Sequence, residues 1–362
     1  MLLCFVTIRL PRAGDEVLVA YRVGVTQKAP SITTARLRPY IALVALVTST
    51  VLTLAACTSS SGKHPLPLGT VTRTLPPSTA GSNGSGAPTT KTSKPTGPTK
   101  PVHVSLFQGD GQTYGIGMPL IAQFSKRVQD AHPFDKAVTV RVNGQPANGA
   151  WFWVNSNSGY AMEAHYRLKD YWPAHSKIEM NMPLKGVSAG PGLAYDDSLT
   201  LQLNIGAAHI SSVDGAGEHM TVTADGHIVK QFGVSLGKAS TPTYLGKKVV
   251  MEKKNPQLMV SAPGESNPYS LKVPWSVRVT NDGEFVHAAA WNTGNIGSRS
   301  TSHGCTNLNV TDAKWFYNFA RIGDVVTYTN TGTSKTMPSW DGFGDWNVSW
   351  SDWTAGNLLK NG

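Results

Sequence analysis

One thiol in the chain lies in a setting that suits nucleophilic chemistry. Cys305 follows Ser302-His303-Gly304 and precedes Thr306-Asn307, so small residues and a glycine surround the sulfur. Such a loop exposes backbone amides, and converging N–H groups stabilise the oxyanion that forms when a thiolate attacks a carbonyl. A leftover cysteine can also be an intermolecular partner or an inert buried thiol, but a buried structural cysteine is more typical of an apolar run. The local sequence therefore favours a reactive nucleophile.

Two histidines are candidates for the base that this thiol needs. A thiol requires an activating neighbour to become a thiolate near neutral pH. His303 lies two residues before Cys305, and His287 interrupts the apolar, strand-like run from Gly283 to Ala290. Each histidine taken alone is more typical of a structural role. Together with an unpaired cysteine in a glycine-containing loop, they indicate a catalytic site.

The arrangement of these residues resembles the signature of the L,D-transpeptidases, which cross-link bacterial peptidoglycan. In that signature a histidine precedes a Ser/Thr-His-Gly-Cys-x-Asn segment, as His287 here precedes residues 302–307. Residues 234–246 resemble the early strands of the family. Residues 341–356 resemble the C-terminal extension of its mycobacterial-type members, which are anchored outside the membrane and carry immunoglobulin-like domains. The resemblance covers about residues 102–356.

The resemblance implies a role for each residue of the site. It makes Cys305 the nucleophile and His287 its general base, oriented by the backbone carbonyl of Ala288. The loop and its oxyanion hole are implied to depend on four residues: Ser302, His303, Gly304 and Asn307. The walls of the substrate cleft are implied to include three side chains: Tyr269, Met259 and Trp291.

The same resemblance implies a reaction and its partners. The thiolate attacks the carbonyl of the third residue, a diamino acid, of a tetrapeptide stem, and D-alanine leaves. The resulting thioester is then attacked by the side-chain amine of a second stem. The expected partners are therefore peptidoglycan stem peptides, with no cofactor, no metal and no nucleic acid, and carbapenem-type β-lactams are expected to acylate Cys305.

Three alternatives remain open from the sequence. His287, His303 and Cys305 could ligate zinc, although a fourth ligand is not evident. The chain could be a non-catalytic cell-wall-binding lipoprotein that binds through its sandwich and its tryptophans. The same cysteine could also serve a carboxypeptidase, or an enzyme that attaches proteins to peptidoglycan, because these outcomes differ only in the acceptor.

Composition narrows the class of protein that presents this site. The 362 residues carry 32 Lys and Arg against 22 Asp and Glu, a net charge of +10. Only Cys4, Cys57 and Cys305 are cysteines, which excludes a disulfide scaffold and a four-cysteine zinc site. A charged fraction of 15% is low for a nucleic-acid reader. Without residues 1–56, which hold six basic and two acidic residues, the net charge falls to +6.

The N-terminal part of the chain is typical of a targeting segment followed by a tether. Residues 1–56 are predicted to be a lipoprotein-type signal peptide, because a basic flank precedes an apolar run, Ile41–Ala56, that is short for a membrane span. The end of this run resembles a lipobox, so we expect Cys57 to be lipidated and the protein to lie on the outer face of the cell membrane. Residues 57–101, rich in Thr, Ser, Pro and Gly, are predicted to be a disordered linker.

The remainder of the chain is predicted to be mainly β. Alternating apolar residues with turn signals such as Asn143-Gly144 indicate an immunoglobulin-like β-sandwich over residues 102–206. His132, His165 and His175 are interpreted there as surface or hydrogen-bonded structural histidines.

The predicted L,D-transpeptidase domain, residues 207–330, is β-rich with a hairpin turn at Asp225-Gly226. Its one short helix, Ala313–Arg321, is expected to be capped by Thr311 or Asp312. Residues 331–362 are predicted to be a Trp-rich extension that packs on the catalytic domain.

We predict that the mature protein begins at an acylated Cys57. Small residues occupy both positions before the cysteine, and a polar Thr-Ser-Ser-Ser follows it. Mass spectrometry of protein extracted from membranes measures the modification directly. An unmodified Cys57 in that fraction contradicts the prediction.

Overall fold

A computed structural model describes residues 73–74, 97, 99–261, 264 and 268–355. The predicted signal peptide, Cys4, Cys57 and most of the predicted linker lie outside the described residues. The described part is mainly β, which confirms the predicted fold class. Within it, none of the helices combines the length and the apolar content that a bilayer crossing requires.

The first folded region is a β-sandwich. Its elements are β1 Arg73–Thr74, β2 Lys100–Val102, β3 Val104–Leu106, β4 Thr113–Tyr114, β5 Leu120–Phe124, α1 His132–Ala137, β6 Thr139–Val142, β7 Gln145–Pro146, β8 Gly149–Val154, β9 Met162–Leu168, β10 Lys177–Met182, β11 Ser188–Gly190, β12 Leu193–Tyr195 and β13 Leu199–Ile205. One sheet has the order β1-β13-β10-β6-β7, with β4 also paired to β13, and the other has the order β3-β5-β9-β8. A small sheet, β11-β12-β2, adds to them. Both large sheets contribute to one apolar core.

Local sequence explains the sandwich strands well. Leu199, Leu201, Leu203 and Ile205 are buried while the residues between them are more exposed, as period-two alternation requires. Asn143-Gly144 has positive φ at both residues, 50° and 79°, and joins β6 to β7 as a two-residue hairpin loop. The predicted turn is therefore confirmed.

The second folded region contains the predicted catalytic residues. Its strands are β14 His209–Asp214, β15 His219–Ala224, β16 His227–Gly233, β17 Gly246–Val249, β18 Glu252–Lys254, β19 Gln257–Val260, β20 Ser270–Val273, β21 Ser276–Arg278, β22 Phe285–Ala288, β23 Thr306–Leu308 and β24 Val325–Thr329. Its helices are the 3-10 turn Ala290–Asn292 and α2 Val310–Phe319. The sheets run β16-β15-β14-β24-β17 and β18-β21-β22-β23, beside the hairpin β19-β20. The predicted turn at Asp225-Gly226, with φ of 48° and 83°, joins β15 to β16.

Helix α2 is the predicted helix, but it begins and ends earlier than expected. The predicted caps were wrong, because Asn309 is the N-cap and its side-chain oxygen accepts from the amide of Asp312 at 2.9 Å. Asn309 directly follows β23 and has extended backbone angles, which suit an N-cap. On its inner face Ala313 and Phe316 are buried in the core of this region.

Strand β1 lies inside the segment predicted to be a disordered linker. Arg73 pairs with Thr200 and Thr74 with Leu199 on β13, antiparallel. The prediction of disorder was therefore wrong at these two residues and at the start of β2. Strand pairing uses backbone N–H and C=O groups, so a composition poor in apolar residues does not exclude it.

The C-terminal extension is anchored on the sandwich. It forms a 3-10 turn, Gly344–Asn347, and helix α3, Trp350–Ala355. The indole of Trp346 donates to the carbonyl of Gly117 at 2.7 Å. The prediction that this extension packs on the catalytic domain was therefore incomplete, because its aromatic side chains also pack on the sandwich.

Charged side chains of the sandwich reinforce this anchor. Nδ1 of buried His165 lies 2.7 Å from the carboxylate of Asp345 in the extension, and Nε2 lies 3.2 Å from Glu163. Burial alone would lower the pKa of His165, but the two carboxylates raise it to about 10, so the imidazole stays protonated. His165 is thus a hydrogen-bonded structural histidine, as predicted.

We predict that Trp353→Ala destabilises the protein by about 3–5 kcal/mol, the usual cost of removing a buried tryptophan. Trp353 is fully buried, stacks on Phe152 at 4.5 Å and donates to the carbonyl of Ala150 at 2.9 Å. Urea unfolding followed by circular dichroism measures the change. Trp340→Ala is the matched control, because that side chain is 54% exposed and its loss is expected to change stability by less than about 0.5 kcal/mol. Equal losses in the two variants contradict the prediction.

Candidate active site

Parallel pairing of β22 with β23 brings the two predicted catalytic segments side by side. His287 lies directly opposite Asn307 in the register. Val286 and Leu308 are buried in the core, so the alternate residues His287 and Asn307 face the other side of the sheet. Cys305 immediately precedes β23, two residues before Asn307, and therefore belongs to the same side.

The imidazole of His287 is held in one tautomer. Its Nδ1 lies 2.9 Å from the carbonyl oxygen of Ala288, the contact that the sequence analysis expected. A carbonyl only accepts, so Nδ1 carries the proton and Nε2 is left as an acceptor. Burial lowers the pKa of His287 to about 4, and the Ala288 carbonyl opposes this only in part. His287 is therefore a neutral base at neutral pH.

Cys305 is half-buried, and its thiol contacts the segment that leads into β22. Its Sγ donates to the carbonyl of Gly283 at 3.6 Å, and the amide of Phe285 faces the sulfur. Burial raises the pKa of Cys305 to about 11, while the Phe285 amide lowers it. The resting site consequently holds a neutral thiol and a neutral imidazole on the same face of the sheet, rather than an ion pair.

The turn before the thiol is fixed by side-chain hydrogen bonds. The hydroxyl of Ser302 donates to the carbonyl of Cys305 at 2.6 Å and accepts from the amide of Gly304 at 3.1 Å. Gly304 has a φ of +125°, which residues with a Cβ rarely adopt. The hydroxyl of Thr243 donates to the Gly304 carbonyl at 2.8 Å. Thr243 was not singled out as a site residue, and only its place in the family-like segment 234–246 could have indicated it.

Two amides of this turn are available to an oxyanion. The Gly304 amide is taken by Ser302, whereas the amides of His303 and Cys305 have no hydrogen-bond partner within the described part of the chain. Backbone donors that converge beside a nucleophile are the usual form of an oxyanion hole. These two amides are accordingly the candidate donors for an oxyanion at Cys305.

Asn307 supports the site through the backbone of a strand-like segment. Its amide donates to the carbonyl of Ser235 at 2.9 Å, and the amide of Ser235 donates back to the Asn307 carbonyl at 3.1 Å. The Ser235 hydroxyl accepts from the side chain of Asn292 at 3.1 Å. Ser235 and Asn292 thereby tie the loop after β22 to the strand that follows the nucleophile, and neither residue was predicted from the sequence.

The three predicted cleft residues lie in different positions around this centre. The ring of Tyr269 lies 5.6 Å from that of His303, and the ring of Trp291, which is 60% exposed, lies 6.0 Å from that of His287. Met259 is half-buried on β19, which pairs with β20, and Tyr269 directly precedes β20. Tyr269 and Trp291 thus lie against the two histidines. Met259 is connected to the site only through the β19-β20 hairpin.

His303 forms a hydrogen bond with a neighbouring lysine. The ammonium of Lys238 donates to Nε2 of His303 at 3.0 Å, on the exposed rim of the site. Among the described residues, no three His, Cys, Asp or Glu side chains converge as a metal site would require.

Comparison with known proteins gives two family matches. Residues 67–188 match the model of a bacterial Ig domain, and residues 209–327 match the model of the L,D-transpeptidase catalytic domain. The first match begins inside the predicted linker, before β1.

Individual relatives agree with these matches. The chain is 32% identical over 268 residues to L,D-transpeptidase 2 of Mycobacterium tuberculosis, covering 71% of this chain but 63% of that relative, less than two thirds of its length. It is 30% identical over 245 residues to a protein of the same organism named probable L,D-transpeptidase 3, covering 61% of this chain and 84% of the relative. The solved structure of LD transpeptidase LdtMt1 in complex with imipenem aligns with a TM-score of 0.54 at 25% identity, covering 64% of this chain and all of that one.

We predict that alkylation of Cys305 by iodoacetamide accelerates by about tenfold per pH unit through the neutral range, because only the thiolate reacts. With a thiol pKa of about 11, the rate is expected to show no plateau at neutral pH. Peptide-resolved mass spectrometry against pH measures it. A plateau already present at neutral pH contradicts the neutral resting pair and indicates a preformed thiolate.

Proposed function

Because this chain belongs to the L,D-transpeptidase family, we propose that it cross-links peptidoglycan stem peptides between their third-position diamino acids. The observation that supports this most directly is the His287 imidazole, neutral and fixed through Nδ1 on Ala288, on the same sheet face as the thiol of Cys305. An acyl transfer needs a nucleophile, a base and an oxyanion site, and all three have candidates here.

In the first step the sulfur of Cys305 attacks the carbonyl carbon of the third residue of a donor tetrapeptide. Because the resting thiol is neutral, its proton passes to Nε2 of His287 as the S–C bond forms. The developing oxyanion accepts from the amides of His303 and Cys305. When the tetrahedral intermediate collapses, the C–N bond breaks, and the His287 imidazolium protonates the departing D-alanine amine. A thioester on Cys305 remains.

In the second step the side-chain amine of an acceptor stem attacks this thioester. His287, neutral again, accepts the proton of the attacking nitrogen and returns it to the sulfur as the C–S bond breaks. The thioester retains the acyl-transfer potential of the original bond, so the cross-link forms without an external energy source. The acceptor alone decides between cross-linking, hydrolysis and attachment of a protein.

Carbapenems are the expected inhibitors of this site. The relative LdtMt1 was solved in complex with imipenem. A β-lactam carbonyl presents the thiol with the same electrophile as a stem peptide, and ring opening leaves an acyl group on the sulfur. We therefore propose that imipenem acylates Cys305.

The N-terminal part of the chain is proposed to hold this enzyme at the cell envelope. A lipid on Cys57 would anchor the protein to the outer face of the membrane, and residues 58–72 would separate the anchor from β1, the first strand of the sandwich. Action outside the cytoplasm fits a peptidoglycan substrate.

We predict that Cys305→Ala abolishes both the imipenem adduct and cross-linking of a tetrapeptide-containing muropeptide, because the nucleophile is lost. His287→Ala is expected to slow adduct formation by about 10²- to 10⁴-fold. Intact-protein mass spectrometry detects the adduct, and product analysis by chromatography identifies the acceptor.

The matched control is His132→Ala, since that histidine is exposed and pairs only with Asp130 on the sandwich surface. It is expected to retain wild-type activity. Cross-linked product from the Cys305→Ala variant contradicts the proposal, and release of D-alanine without any dimer identifies a hydrolase instead.

A further inference from the structure

A buried ion pair that the reaction above does not use includes Glu284, whose two neighbours in the chain contact the sulfur of Cys305. The ammonium of Lys248 on β17 donates to Oε2 of Glu284, and Lys248 has no exposed surface. Glu284 is also buried. Lysine and glutamate are almost never buried this fully unless they are paired, and such pairs contribute little net stability compared with apolar residues. We therefore asked whether this pair has a role other than stabilising the fold.

The backbone of Glu284 forms the centre of the segment that encloses the thiol. Gly283 on one side supplies the carbonyl that accepts from the Cys305 sulfur, and Phe285 on the other supplies the facing amide. The amide of Glu284 in turn donates to the Thr280 hydroxyl at 2.9 Å. Any displacement of Glu284 therefore moves both backbone groups that contact the sulfur.

The carboxylate of Glu284 also packs against the turn on the other side of the thiol. A methyl group added at Gly304 would lie 3.6 Å from Oε1 of Glu284. The same oxygen accepts from the amide of Tyr244 at 2.8 Å, in the loop that carries Thr243. One buried carboxylate thus joins the Gly283–Phe285 segment to the turn that precedes Cys305.

Lys248 extends this connection to the residue after the nucleophile. Its Nζ lies 3.9 Å from the centre of the Tyr328 ring, an arrangement that stabilises a cation. The Tyr328 hydroxyl lies 2.8 Å from that of Thr306, which directly follows Cys305. The ion pair is therefore connected both to the turn that precedes Cys305 and to Thr306, which follows it.

Electrostatics point the same way as the geometry. Glu284 raises the pKa of Cys305, and Lys248 lowers it. Two other charged groups face this cluster: Arg278, which is bound to Glu252, and the buried carboxyl of Asp341. The intact pair is neutral, so it leaves the thiol protonated while keeping a cation near the position where a thiolate forms.

We propose that Lys248 and Glu284 are positioning residues for Cys305, which hold the thiol and its preceding turn in the geometry that attack requires. The proposal deepens the proposed function, on which it rests, since it assigns the support of the same nucleophile. Neither residue touches the substrate, and both act through the backbone groups that enclose the sulfur.

The test uses three variants of the full chain: Glu284→Gln, Lys248→Met and the double variant. Each is first checked for folding by thermal unfolding. The rate of Cys305 acylation by imipenem is then measured, together with the pH profile of its alkylation by iodoacetamide. All three variants are expected to slow acylation by about tenfold or more, because misplacement of a reacting group costs rate steeply.

The pH profiles separate positioning from a general loss of structure. Glu284→Gln removes the carboxylate that raises the pKa of the thiol and is expected to move the alkylation midpoint to lower pH, by about one unit. Lys248→Met leaves a carboxylate and is expected to move it to higher pH. The double variant removes the opposing effects of Glu284 and Lys248 on the thiol together, so its midpoint is expected to stay near that of the wild type while its acylation remains slow.

Asp324→Asn is the matched control. Asp324 is a buried acid paired with His209 at 3.0 Å in the same domain, and it is not among the charged groups that face the thiol. It is expected to keep the wild-type midpoint and acylation rate.

Two results overturn the proposal: a wild-type acylation rate in the folded double variant, or midpoints of the single variants that do not separate. If a single variant does not fold, the acylation rate of the double variant decides. Both readouts report on the thiol without an acceptor, so this proposal can fail while cross-linking by the wild type stands, and the reverse also holds.

Discussion

The parallel pairing of β22 with β23 is the constraint on which the whole site depends. It sets His287 opposite Asn307, and the burial of Val286 and Leu308 on the other face leaves no freedom in register, because a slip of one residue would turn the histidine into the core. Parallel strands need a long connection, and here residues 289–305 provide it. The loop that shapes the cleft is therefore also the crossover that makes the pairing possible.

Burial decides the chemistry of this pair. An exposed cysteine and histidine would retain their ordinary pKa values. Here the pKa of the thiol is raised to about 11 and the pKa of the imidazole is lowered to about 4. Removal of a charge from water is costly, so both groups rest in their neutral forms. In the proposed reaction, charge then separates only as the sulfur attacks, when the amides of His303 and Cys305 and the Lys248 ammonium would stabilise it. A resting thiol of this kind also resists oxidation, which requires the thiolate.

The sequence predicted those parts of the site that are local in the chain. His287 and the turn around Cys305 could be proposed as catalytic because they resemble a short family signature, whereas the residue types alone left His303 open as the base. The ion pair of Lys248 with Glu284 could not, since the partners are far apart in sequence and a lysine among alternating residues is usually a solvent-facing one. The Asn309 cap was missed for a smaller reason: Asn, Thr and Asp all cap well, and only the end of β23 decides among them.

A series of contacts joins the sandwich to the segment around the nucleophile. His165 of the sandwich fixes Asp345 in the extension, and two residues later the side chain of Asn347 accepts from the Lys247 amide at 2.8 Å. The next residue on β17 is Lys248, whose partner Glu284 holds the segment around the thiol. Each contact is either buried or made by two hydrogen bonds, so the residues in the series have little freedom to move. The C-terminal extension thus fixes β17 against the sandwich. Through Lys248, β17 in turn holds the Gly283–Phe285 segment that contacts the thiol.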